Sequence, residues 1–88
     1  MVKERLLNAL RDRANQYGIT LTGEKVCAET DAQNEITIVV TAVAEKAAAR
    51  KCVYTSIRWA AAEDPLKVEM WCGEVVSRTD AALSGKSE

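Results

Sequence analysis

Residues 67–76 read KVEMWCGEVV, and whether this stretch is strand or helix sets the architecture of the C-terminal third of the chain. Leu66, Val68, Met70 and Cys72 alternate with Lys67, Glu69 and Trp71, which is the two-residue period of a half-buried strand. The only proline, Pro65 in AEDPL, precedes it as a turn residue. This reading predicts a strand from Leu66, with Val68, Met70 and Cys72 turned to the core.

Working back from there, KCVYTSIRWA (residues 51–60) alternates so that Val53, Thr55, Ile57 and Trp59 share one face and Cys52, Tyr54, Ser56 and Arg58 the other. EITIVVTAVA (residues 35–44) is dominated by β-branched residues and predicts the most regular strand, with Ile36, Ile38, Val40 and Ala42 on one face. Between these two, EKAAAR (residues 45–50) favours a helix by composition but offers only about two turns, so a hairpin loop containing a helical turn is expected. TDAQNE (residues 30–35) is a turn. The segment from Ile19 to Ala28 is extended, with Gly23 the site of a bulge or kink. At the N-terminus, Val2, Leu6, Leu7, Leu10, Ala14 and Tyr17 recur at helical steps among charged residues, and Gly18 stops the amphipathic helix they define.

Ser77 or Thr79 caps a short C-terminal helix through Leu83 in this reading. A polar tail, residues 84–88, then frays from a single domain of residues 1–83. The predicted class is α+β: one N-terminal helix packed on a three- to four-stranded antiparallel sheet. The expected core is Leu6, Leu10, Ala14, Ile36, Ile38, Val40, Val53, Ile57 and Met70.

With 88 residues, the chain has room for one modest core, and a formal net charge of -1 supplies no global field toward phosphate or membrane. The longest apolar run is far too short to span a bilayer, and charges throughout the first turns differ from a signal peptide, so a cytoplasmic location is expected. Cys27, Cys52 and Cys72 are an odd number of thiols at wide spacings, which suits a reducing compartment. The chain has no histidine, which removes the commonest metal ligand and the commonest general base at neutral pH.

Trp71, Cys72 and Gly73 match the first half of the Trp-Cys-Gly-Pro-Cys signature of thiol oxidoreductases. In that chemistry a second thiol resolves the mixed disulfide, and here the position that would hold it is Val75. The strand alternation instead gives Cys72 to the core, where a thiol behaves as a small hydrophobe. No two cysteines have the close spacing of zinc ligands, and Glu63 and Asp64 flank a turn as solvated residues rather than as an acid/base pair. Neither catalytic nor metal-ligating residues are assigned, no cofactor is implied, and Cys72 is the only enzymatic candidate.

The remaining feature is the sheet face opposite the first helix. In this register it carries Thr37, Val39, Thr41, Val43, Cys52, Tyr54, Ser56, Arg58, Lys67, Glu69 and Trp71. Tyrosine, tryptophan and arginine are the residue types enriched at binding hot spots, and a half-apolar face on so small a chain needs a cover. That cover is the C-terminal helix, a helix over EKAAAR, a second copy of the chain, another protein or single-stranded nucleic acid. The expected role is a non-catalytic protein-interaction module, an adaptor, inhibitor or regulatory subunit, that binds another protein or itself through Tyr54, Arg58, Lys67, Glu69, Trp71, Val39 and Thr41. The alternative is nucleic-acid binding, with Tyr54 and Trp71 stacking on bases and Arg58 and Lys67 meeting phosphates. The α-β-β-β-α order resembles that of double-stranded-RNA-binding domains. The basic, alanine-rich second helix of that family has no counterpart in DAALSGKSE, however, so membership does not follow.

Overall fold

A computed structural model describes residues 2–85. Helix α1 runs over Val2–Gln16, followed by strands β1 (Thr20–Thr30), β2 (Ile36–Lys46) and β3 (Ala49–Arg58), a single-turn helix α2 (Trp59–Ala62) and a long helix α3 (Pro65–Leu83). The three strands form one antiparallel sheet in the order β1-β2-β3. This is an α+β domain with one helical layer.

In α1 the buried residues Leu6, Leu10 and Ala14 recur every fourth position, while Lys3, Glu4, Arg5, Arg11 and Asp12 stay exposed. Gly18, at φ 74°, takes the left-handed conformation that ends the helix, and the Ile19 N–H donates to the Ala14 carbonyl at 2.9 Å. A bulge then interrupts the pairing of β1 with β2 between Thr22 and Lys25, where Gly23 sits at φ 61°. The extra residue brings Leu21 and Val26, five positions apart, onto the same face of the sheet. It also leaves Glu24 free to pair with Arg11 of α1 at 2.7 Å.

Asp31 organises the β1–β2 turn, its Oδ1 accepting from the Gln33 and Glu35 N–H groups at 2.9 Å each. The β2–β3 connection is shorter than the sequence suggests. Lys46 pairs with Ala49, so residues 45–50 hold only a two-residue turn, Ala47–Ala48, with Ala47 at φ 54° and no helical turn. Two turns of helix have too few internal hydrogen bonds to compete with extension of a ladder already formed, and Arg50 pairs across it with Glu45 at 3.1 Å.

The expected fourth strand is replaced by α3. Asp64 is its N-cap, accepting from the Leu66 N–H at 3.0 Å, and Pro65 occupies the first turn, where its missing N–H costs nothing. Cys72, Val75 and Val76 are the buried residues of this helix, with Val68 half-buried one turn before them. Helical spacing therefore prevails over the two-residue alternation. Ser77 and Thr79 lie inside α3 and cap nothing; its C-cap is Ser84, followed by Gly85 at φ 73°. Residues 86–88 of the expected polar tail lie outside the described residues.

The core lies between the sheet and the helices: Leu6, Leu10 and Ala14 of α1 and Cys72, Val75 and Val76 of α3 pack on Leu21, Ile38, Val40, Ala44, Val53 and Ile57. Two expected core residues are not there. Ile36 is 44% exposed at the start of β2, where it lines an open cleft beside Trp59 and Ala60 of α2, and Met70 is 66% exposed on the solvent side of α3. No charged or polar residue is buried among the described residues.

Candidate interaction surface

The helices cover one face of the sheet, and the register defines the other. Val39 stands between Cys27 and Ser56, Thr41 between Lys25 and Tyr54, and Thr37 between Glu29 and Arg58. Val43 stands between Thr22 and Cys52. Directly opposed residues in an antiparallel ladder share a face, so these side chains form one continuous surface. Val39 is buried although no helix covers it, because it lies on the central strand among neighbours of its own face. Tyr54 on the edge strand is 75% exposed, an aromatic ring set in water beside Thr41.

Of the residues singled out from sequence, Val39, Thr41, Tyr54 and Arg58 meet on this face. Lys67, Glu69 and Trp71 do not, because the segment that carries them is helical. Lys67 and Glu69 are exposed on α3, and Trp71 packs half-buried against the core with its Nε1 donating to the Ser56 carbonyl at 3.0 Å. Trp71 thus holds an edge of the sheet from the helical side. Arg58 pairs with Glu35 and Arg50 with Glu45, so the two arginines of β3 on the open face are matched by carboxylates. Residues of β1 that share the face, Lys25, Cys27 and Glu29, were not among the sequence candidates. The pairing that puts them there depends on the bulge at Gly23, where the sequence predicts a shift of register but not which β2 residues β1 then faces.

The chemistry elsewhere is sparse. Cys72 is 2% exposed, and burial pushes its thiol up to about 11, with Arg13 opposing the shift and Glu69 adding to it. A thiol held protonated at neutral pH is a poor nucleophile. Arg13 lies across α3 at Gly73, where an added Cβ would stand 3.4 Å from the guanidinium. An open cleft between α1 and α3 is floored by Leu6, Ala9, Val68 and Cys72 and rimmed by both signs of charge, with Arg5 and Arg13 facing Asp12, Glu63 and Glu69. Among the described residues, no group of three or more cysteines and carboxylates is placed to hold a metal ion, and no helix is long and apolar enough to cross a membrane.

The fold and this surface define a two-layer αβββα domain with a helix-free sheet face. No family model, no curated protein and no solved structure matches the chain. Helix α3 has more acidic than basic residues, Glu69, Glu74 and Asp80 against Lys67 and Arg78.

Proposed function

We propose that the protein is a non-catalytic interaction module that binds another protein across the helix-free face of its sheet, with Tyr54 at the centre of the contact and Val39, Thr41 and Arg58 around it. One observation carries this reading: all the helices are spent on the opposite face, so Tyr54 is left standing in solvent on a surface of threonine, valine and cysteine. A rigid aromatic side chain on a preformed sheet buries a large area at little entropic cost when a partner arrives. Trp71 contributes indirectly by fixing β3 from behind. The exposed, unpaired thiols of Cys27 and Cys52 fit a reducing compartment such as the cytoplasm.

The nucleic-acid alternative has less support. The open face mixes Lys25, Arg50 and Arg58 with Glu29 and Glu45, and nucleic-acid affinity rests on several cations free to meet phosphates.

A photo-crosslinking side chain placed at position 54 in the source cell tests the reading, with the same group at Glu74, on the solvent side of α3, as control. A single protein captured from position 54 and not from position 74, and lost when Val39→Lys is added to a chain of unchanged circular dichroism, is the expected result. Equal capture from both positions, or capture of nucleic acid alone, overturns it.

A further inference from the structure

The two edges of the sheet are treated differently. At β3, Trp71 of α3 occupies the Ser56 carbonyl, and Lys51–Thr55 border a cleft against α3. At β1 the bulge disrupts the edge only before Lys25. Beyond it the strand continues to Thr30 without proline or irregularity, and Cys27, Ala28, Glu29 and Thr30 are all exposed. A straight, uncovered edge presents unpaired N–H and C=O groups that accept another strand.

We propose that this edge pairs antiparallel with the same edge of a second copy of the chain, joining two three-stranded sheets into one of six strands about a twofold axis at Cys27. Charge selects the occupant and the register. Lys25-Val26-Cys27-Ala28-Glu29 is self-complementary when read antiparallel: Lys25 falls opposite the partner's Glu29, and Glu29 opposite the partner's Lys25. Lys25, Cys27 and Glu29 all lie on the helix-free face, so both charge pairs form on one surface. On the helical side, Val26 meets the partner's Ala28, covering an alanine that is exposed in the single chain.

The pleat permits only registers that keep like faces together. The neighbouring register centred on Val26 sets Cys27 against Lys25 and leaves both charges unmatched, and the one centred on Ala28 sets Cys27 against Glu29 and Lys25 against Asp31, a residue beyond the strand whose carboxylate already holds the β1–β2 turn. The pairing is read from self-association and the protein-binding reading above from capture at Tyr54 on the far strand, so the two fail separately.

Sedimentation of the whole chain under reducing conditions, over a range of concentrations, tests the pairing. A reversible monomer–dimer equilibrium is expected. Lys25→Glu and Glu29→Lys, each turning both attractive pairs into repulsive ones, are each expected to weaken dimerisation at least about tenfold. Mixing the two variants, or combining both substitutions in one chain, restores it, and circular dichroism confirms that each variant is folded. A second measurement uses a short bismaleimide on a Cys52→Ser chain, since opposed Cα atoms in a ladder lie about 5 Å apart. A covalent dimer through Cys27 is expected, and its loss in Cys27→Ser. A wild-type chain that stays monomeric up to its solubility limit, a dimer indifferent to both charge reversals, or weakened variants that mixing does not rescue overturns the proposal.

Discussion

The indole Nε1 of Trp71 donates a 3.0 Å hydrogen bond to the main-chain carbonyl of Ser56, tying the middle of α3 to the edge of the sheet. The bond satisfies a carbonyl that an edge strand otherwise leaves to water, and the ring body packs on the core beside it. A residue type associated with binding hot spots here has a scaffolding role.

Trp71→Ala is therefore expected to destabilise the fold by about 2–4 kcal/mol, through lost packing and the unpaired Ser56 carbonyl. Tyr54→Ala, which removes a side chain that is already solvated, is expected to change stability by less than about 0.5 kcal/mol. Urea denaturation of both variants checks the contrast. Equal losses would mean that Tyr54 is packed or that Trp71 is not.

Ala47 turns the β2–β3 hairpin at φ 54°, a conformation that disfavours a side chain and suits glycine. Ala47→Gly is expected to raise stability by up to about 1 kcal/mol, the relief of left-handed strain exceeding the entropy glycine adds to the unfolded chain. Thermal unfolding reads the shift, and a lower melting temperature would contradict it.

The Cys72 thiol, raised to about 11 by burial, predicts a pH dependence of defined sign. In the unfolded chain it ionises near its ordinary value, about 8.5. The folded state, which keeps the proton, is therefore favoured below that pH and loses ground as pH rises from about 8.5 to 11. Cys72→Ala is expected to be less stable at pH 7, yet to lose less stability than the wild type on going to pH 10.5. The native chain is also expected to react with iodoacetamide at Cys27 and Cys52 far faster than at Cys72.

Gly73, in the middle of α3, leaves room for the Arg13 guanidinium. The contact is the far end of a flexible side chain, so Gly73→Ala is expected to be neutral or stabilising by up to about 1 kcal/mol as helix propensity improves. A marked loss of stability would show that the position of Arg13 over α3 matters to the fold.

Much of this architecture is legible in the residues. The fourfold recurrence of Leu6, Leu10 and Ala14, the β-branched run from Ile36, the bulge at Gly23 and the turn at Asp31 are set by local chemistry, and they are found where that chemistry puts them. Residues 66–72 are different. Val68 and Cys72 fit both a two-residue and a helical period, because four is a multiple of the first and close to one turn of the second. The tie is broken by features at the two ends: Asp64-Pro65 as cap and first turn, and Val75 and Val76, which continue only the helical series.

Periodicity along the chain therefore specifies α1, the hairpins and the α+β class. The docking of α3 beside α1, the partition of Tyr54 to the open face and Trp71 to the scaffold, and the contrast between a β3 edge bonded to α3 at Ser56 and a bare β1 edge arise only on folding. Each depends on which layer has apolar area left to bury, and that quantity belongs to the packed molecule rather than to any one segment.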